Sequence, residues 1–230
     1  MKRTIAFFDG QSLFHAVRNT FGYRIPNFDI YELAQTICKE HSWQLIQVRF
    51  YTGVPSRGRN EKWHQFWRNK LRTAKSEHGV KGITTELREH QKTLRVYIPD
   101  LFPDDKVWQN ISRRFDEWVK YDYYDSDEKG IDVRIAVDVI RLALKKEFDV
   151  ALIFSQDQDL AEVAREIPVI AREQDRWIHT ASAYPYSDDT ENPRGIDNTT
   201  WIKIDKTTYD KCIDLRDYFG KKEQKEFKFE

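Results

Sequence analysis

Asp149-Val150-Ala151-Leu152-Ile153-Phe154-Ser155-Gln156-Asp157-Gln158-Asp159 is the stretch on which the fold turns. Its apolar part is continuous rather than alternating, the pattern of a strand buried on both faces of a parallel sheet. It breaks at Ser155 to Asp157, and a helix is expected to begin near Asp159. The same grammar opens the chain. Thr4 to Phe8 is apolar, Asp9-Gly10 closes it, and Leu13, Phe14, Val17 and Phe21 follow at helical spacing. A third unit has Asp29 and Glu32 as a capping box before Leu33, Ile37 and Cys38, then a β-rich run from Trp43 to Tyr51 ending in Thr52-Gly53-Val54-Pro55. Repetition of strand and helix predicts an α/β, three-layer, doubly wound domain with a mostly parallel sheet. Right-handed crossovers then gather the strand-to-helix loops on one edge.

The remaining segments extend this plan. A helix is expected from Asn60 to about His78, stopped by Gly79, and a pair of strands over Lys81 to Arg88 and Lys92 to Ile98. Asp104 to Lys120 reads as containing a helix, and Tyr121 to Gly130 as a polar, aromatic-rich linker. Ile131 to Lys146 is helical and apolar nearly all round, with Ile135, Val139, Ile140, Leu142 and Ala143 inside, which predicts packing between layers. Ile167 to Ala171 and Trp177 to Ala183 read as further strands, and Gly220 to Glu230 as a frayed, charged tail.

Composition narrows the function classes. With 38 Lys+Arg against 38 Asp+Glu, no net field steers the chain to nucleic acid or membrane, so any polyanion site must be local. The two cysteines, Cys38 and Cys212, have no metal-ligand spacing, which fits a reducing, cytoplasmic setting. The apolar run before Asp9 is too short for a leader's core, and no later stretch approaches the roughly 20 apolar residues of a membrane span.

In open α/β sheets ligands bind beyond the carboxyl ends of the strands. Asp9, Asp157 and Asp159 follow two such strands, and Asp132 opens the apolar helix after Gly130. Carboxylates gathered there repel one another unless a cation is present, and hard oxygen ligands suit Mg²⁺ or Mn²⁺. Each has a purely structural alternative: Asp159 with Glu162 makes a capping box, Asp157 and Asp9 suit turns, and Asp132 suits a helix N-terminus. Asp138 lies about 240° around the helix from Asp132, a position for packing or for a supporting hydrogen bond. Between Arg57 and Lys75, Arg57, Arg59, Lys62, Arg68, Lys70, Arg72 and Lys75 face one acid, Glu61, and interleave with Trp63, Phe66 and Trp67. Basic groups neutralise phosphates and aromatics stack on unpaired bases. An amphipathic helix with core tryptophans explains the same pattern, better for Trp67 than for Arg57 and Arg59, which sit in the loop on the aspartates' edge.

Phe8-Asp9-Gly10-Gln11-Ser12-Leu13, Glu128-Lys129-Gly130-Ile131-Asp132-Val133 running to Ala136-Val137-Asp138, and Ser155-Gln156-Asp157-Gln158-Asp159-Leu160 resemble, in order, the three signatures of the NYN family, which has a PIN-like nuclease fold and includes LabA-like bacterial proteins. The match spans about Ile5 to Ala183. Asn192 to Asp197, with Trp201 and Ile204-Asp205, resembles an extension of some bacterial members. The resemblance implies residues 1–183 as the nuclease domain, 184–219 as an extension packed on it, and 220–230 as tail. It further implies a cytoplasmic, Mg²⁺- or Mn²⁺-dependent endoribonuclease with Asp9, Asp132, Asp157 and Asp159 as metal ligands and catalytic residues. Ser12, Asp138 and Ser155 would support them, and Arg57, Arg59, Lys62 and Lys129 would contact RNA. Self-association as a homodimer is left open. Two positions depart from the family: Ser12 stands where Asn is usual, and Gln156 where Gly is usual. No nucleophile motif is present, so attack by metal-activated water is the economical chemistry. The competing class is a non-catalytic RNA-binding or regulatory module on the same fold. A haloacid-dehalogenase-type phosphatase needs a second Asp where Gln11 stands.

Overall fold

The computed structural model describes residues 1–86, 88–96, 119–127, 130–190 and 193–219. The chain forms two compact units, Met1–Glu86 with Glu128–Glu230, and Leu87–Asp127. In the larger unit the strands are β1 (Lys2–Asp9), β2 (Trp43–Val54), β3 (Lys81–Glu86), β6 (Val150–Phe154), β7 (His179–Pro185) and β8 (Thr200–Ile204). They form one six-stranded sheet in the order β3-β2-β1-β6-β7-β8. All of its pairings are parallel. The smaller unit is a two-stranded antiparallel ladder of β4 (Arg88–Val96) and β5 (Val119–Asp127), registered from Arg88 with Asp127 to Val96 with Val119.

Alternation along β1 divides the core. Ala6 and Phe8 join Leu13, Val17, Phe28, Leu33, Ile37, Phe66 and Trp67 on one face of the sheet. Ile5 and Phe7 join Ile131, Ile135, Val139, Val163, Ile167 and Ile170 on the other. The first layer holds α1 (Gly10–Phe21), α2 (Ile30–Glu40) and α3 (Glu61–His78); the second holds α4 (Ile131–Leu144) and α5 (Ala161–Glu173). A short α6 (Lys206–Asp210) follows β8, and its Tyr209 belongs to the first core. Successive side chains on a strand point to opposite faces, so a continuous apolar strand feeds two helical layers. Between the strands the packing is close: the rings of Phe8 and Phe154 stack at 3.9 Å.

Several expectations need correction. Ile167 to Ala171 lies inside α5, because Val163, Ala164, Ile167 and Ile170 bury one helical face. Tyr121 to Gly130 is no linker: most of it is β5, which pairs with β4, so the second of the expected strand pair finds a partner other than β3. Lys81–Glu86 instead extends the parallel sheet beside β2. Helix α4 is an outer-layer helix rather than one packed between layers, with Val133 67%, Val137 52% and Leu144 53% exposed. The expected helix of Asp104 to Lys120 falls largely outside the described residues, as does the Gly220 to Glu230 tail.

Candidate active site

From β1 the chain runs outward through β2 to β3, then returns to β6 on the other side of β1 and continues to β7 and β8. The order reverses between β1 and β6, so their carboxyl ends flank a crevice, the usual ligand position in open α/β sheets. Phe8 registers with Phe154, which makes Asp9 and Ser155 neighbours at the crevice. Gly10 allows α1 to start so close to β2: a Cβ there would lie 2.7 Å from Phe50 Cζ and 2.8 Å from the Tyr51 carbonyl oxygen.

Asp9 is only 4% exposed. Its Oδ1 caps α1 by accepting from the Ser12 amide at 3.0 Å, and its Oδ2 lies 3.1 Å from Ser155 Oγ. Ser155 Oγ is equally 3.1 Å from Ser12 Oγ and accepts from the Asp157 amide at 3.1 Å. A hydroxyl has one hydrogen, so Ser155 donates to Asp9 or to Ser12, not to both at once. Burial pushes the Asp9 carboxyl up from 3.8 to about 6, and the charges of Asp132 and Asp157 add to that, while the bonds from Ser12 and Ser155 oppose it.

Asp132 enters from the first turn of α4, which begins after Gly130 at a left-handed φ of 88°. Its pKa is raised, first by burial and then by the charges of Asp157 and Asp159. Asp157 caps the 3-10 turn Gln158–Leu160 by accepting from the Asp159 amide at 2.9 Å, so the cap is Asp157 and not Asp159. Asp159 is exposed on that turn, and the following α5 starts at Ala161, two residues later than expected. Glu162 pairs with Arg165 instead of completing a capping box. Among the described residues none of Asp9, Asp132, Asp157 and Asp159 has an ion-pair partner, so their mutual repulsion is uncompensated. Hard oxygen donors left this way fit a divalent cation. No three acidic, histidine or cysteine side chains among the described residues stand close enough to form a ready-made cation cage.

The other sequence-derived residues separate clearly. Asp138 is 1% exposed and accepts from Arg49 Nη2 at 2.6 Å, the Tyr51 hydroxyl at 2.8 Å and Arg141 Nη2 at 2.9 Å. None of these bonds reaches the four aspartates; those from Arg49 and Tyr51 fasten α4 to β2, and the one from Arg141 lies within α4. Arg57 and Arg59 are exposed in the loop after β2, on the aspartates' edge, and Arg57 pairs with Glu61 at 3.0 Å. Lys62 opens α3, with its Nζ 5.3 Å from the Phe219 ring. Lys129 lies outside the described residues. Phe66 and Trp67 are core residues, and Trp63 packs edge-on against Phe66 and Phe219. Lys70 is no surface charge: at 2% exposure it donates to the Phe28 carbonyl at 2.7 Å and pairs with Asp214 at 3.6 Å.

Motif reading missed the strap across the Ser155-to-Asp159 loop. Gln156 Nε2 donates to the Arg194 carbonyl at 2.8 Å, Gln158 Nε2 to the Gly195 carbonyl at 3.0 Å, and the Asp197 amide to Gln158 Oε1 at 3.1 Å. Gly195 is required, since a Cβ there would sit 2.3 Å from Ser182 Oγ and 2.7 Å from Trp201 Cδ1. The departure at Gln156 thus acquires a role: its longer side chain ties the loop to this strap.

The family model described as the NYN domain matches residues 3–169. The chain belongs to the NYN domain family. That family has a PIN-like fold, and its members are generally nucleases that use divalent metals. No curated protein matches the chain. Among solved structures, a protein of unknown function from Vibrio parahaemolyticus is 14% identical over 89% of this chain and 94% of its own, with a TM-score of 0.46. The family match contains all three signatures and ends inside α5, so β7, β8 and the strap from Arg194 to Asp197 lie beyond it. Among the described residues no helix is long and apolar enough to cross a membrane.

Proposed function

We propose that this NYN domain protein is a divalent-metal-dependent endoribonuclease acting at the crevice between β1 and β6. One observation carries the reading: Asp9 is buried, has no counter-ion among the described residues and feels the charges of Asp132 and Asp157, an arrangement that disfavours itself until positive charge arrives. Asp9, Asp132, Asp157 and Asp159 would hold Mg²⁺ or Mn²⁺. A bound cation of this kind neutralises developing charge and lowers the pKa of water.

The chain's own groups do the rest. Ser155 and the Ser12 amide fix the orientation of Asp9, and the Asp159 amide fixes that of Asp157. The Arg194-to-Asp197 strap keeps the Asp157 loop in place, while Arg49, Tyr51 and Asp138 hold the helix that carries Asp132. Arg57 and Arg59 supply cations for RNA phosphates on the same edge, which compensates for a chain with no net charge. In-line attack by water would leave 5′-phosphate products. The test is incubation of the purified full chain with labelled single-stranded RNA in Mg²⁺, Mn²⁺ or EDTA. Cleavage confined to the metal-containing reactions is expected; RNA binding without cleavage in any of them would replace the reading with a non-catalytic RNA-binding module.

A further inference from the structure

The opposite edge of the sheet carries a feature that nuclease chemistry does not use. Lys2 registers with Trp43 at the amino ends of β1 and β2, and Asp149 and His179 stand at the amino ends of β6 and β7. Between them lies an open groove of about 600 Å³, lined by Lys2, His41, Trp43, Asp149, Arg176 and Trp177. A second groove of about 620 Å³ shares Arg176 and Trp177 with it and continues past Pro168 and Arg172. Trp177 is the wall between them and is 50% exposed, unusual for so large an apolar ring.

Four rings form a connected platform. Trp177 stacks on His179 at 5.4 Å and 8°, His179 meets Trp43 edge-on at 6.0 Å, and Trp43 stacks on His41 at 4.8 Å. Lys2 Nζ sits 4.3 Å from the Trp177 ring centroid. Burial holds His179 below the usual imidazole range, so it serves as a neutral plate. The one carboxylate in the first groove, Asp149, is taken up by Arg3 at 3.1 Å and Arg176 at 3.6 Å. Arg176 spends its donors on Gln174 Oε1, the Phe148 and Ala143 carbonyls and Asp149, so it braces the groove, and Lys2 is the cation that the groove offers in a chain whose total charge is zero. A half-exposed Trp177 beside the Lys2 ammonium, which has no carboxylate partner among the described residues, suits a ligand that is itself aromatic and anionic, which is the chemistry of unpaired nucleotides. A cationic ligand would be repelled, and a purely apolar one would leave Lys2 unused.

We infer that the Trp43–Trp177 groove at the amino-terminal edge of the sheet is a second binding site for single-stranded RNA, stacking bases on Trp177 and holding phosphates with Lys2. It rests on the proposed action on RNA and adds a length requirement. The eight residues of β1 separate the two edges by about 26 Å at roughly 3.3 Å per residue, so only RNA of several nucleotides reaches both. The groove then raises affinity for long substrates by making the second contact intramolecular.

The test uses the full chain in EDTA, where no metal-dependent cleavage occurs, with a fluorescent oligouridine of roughly 15 nucleotides read by anisotropy. Trp177→Ala is expected to weaken binding roughly 5- to 150-fold, the range found for losing one base–aromatic stack. Trp177→Phe should restore most of it, and Lys2→Ala should reduce the salt slope by about one. A trinucleotide, too short to span the edges, should discriminate none of these variants in a cleavage assay, whereas long RNA should show a raised KM at unchanged kcat. Unchanged binding by a folded Trp177→Ala variant overturns the inference. Photocrosslinking of wild type to 4-thiouridine RNA provides a readout independent of any variant: adducts on peptides containing Trp43 or Trp177 support the groove, and adducts confined to the Asp9 and Asp157 loops overturn it. The two readings fail separately. Cleavage by wild type without any Trp177 effect removes the groove alone, and Trp177-dependent binding without cleavage removes the nuclease alone.

Discussion

Asp9→Asn should stabilise the metal-free protein at neutral pH and leave it unchanged in acid. In the folded chain the Asp9 carboxyl titrates at about 6, against 3.8 for the free group. Below about pH 4 both states are protonated and the group contributes nothing. Between about pH 4 and pH 6 the folded state keeps a proton that the unfolded chain has lost, so stability falls as pH rises, and the full loss stands above about pH 6. At about 1.4 kcal/mol per pH unit, the rise from 3.8 to about 6 amounts to about 3 kcal/mol. The amide retains the cap, because Asn accepts from the Ser12 amide about as well as Asp, and its NH₂ can donate to Ser155 Oγ. The gain is about 3 kcal/mol near pH 8, or roughly 6 to 12 °C in melting temperature for a domain of this size. Thermal melts in EDTA from about pH 4 to pH 8 measure it. Excess Mn²⁺ should raise the melting temperature of wild type and not of the variant. A variant less stable than wild type at pH 8, or a difference that does not change with pH, would refute the reasoning that Asp9 is a buried, uncompensated charge.

Three further outcomes follow from the same geometry. Asp157→Asn should abolish cleavage and the Mn²⁺-induced gain in melting temperature while keeping the fold, since Asn still caps the 3-10 turn; a mere cap would leave activity at the wild-type level. Arg57→Ala with Arg59→Ala should weaken RNA binding and reduce its salt slope by up to about two, measured by anisotropy across a salt series, whereas an unchanged slope assigns both arginines to solvent. Gly10→Ala should destabilise by roughly 1 to 3 kcal/mol in denaturant melts, because the added methyl meets Phe50 and the Tyr51 carbonyl oxygen; a neutral result would mean that α1 can shift without disturbing Asp9.

The parallel sheet was legible because its strands, Lys2–Asp9, Trp43–Val54 and Val150–Phe154, announce themselves as apolar runs ending in polar turns. Ile167 to Ala171 misled because a short run of apolar residues has no period of its own; the deciding residues, Val163 and Ala164, lie a helical turn earlier. Helix α4 misled in the opposite way, since composition cannot tell a buried apolar face from an exposed one. The family resemblance extended correctly to the NYN domain over residues 3–169. The strap of Arg194 to Asp197 over Gln156 and Gln158 was not legible, because it joins segments about 40 residues apart through carbonyl acceptors that any residue type supplies. Its one sequence trace is Gly195, whose need becomes visible only beside Ser182 and Trp201.

The chemistry of the cut ends tests the central claim most directly. Single-stranded RNA carrying one label should be incubated with the full chain in Mn²⁺, and the products probed with phosphatase and with a 5′-phosphate-dependent exonuclease. Water attack at a site held by Asp9, Asp132 and Asp157 predicts internal cleavage that leaves 5′-phosphate and 3′-hydroxyl ends, stops with EDTA and is absent from Asp157→Asn. Products bearing 5′-hydroxyl and 2′,3′-cyclic phosphate ends, or cleavage that persists in EDTA, would contradict it.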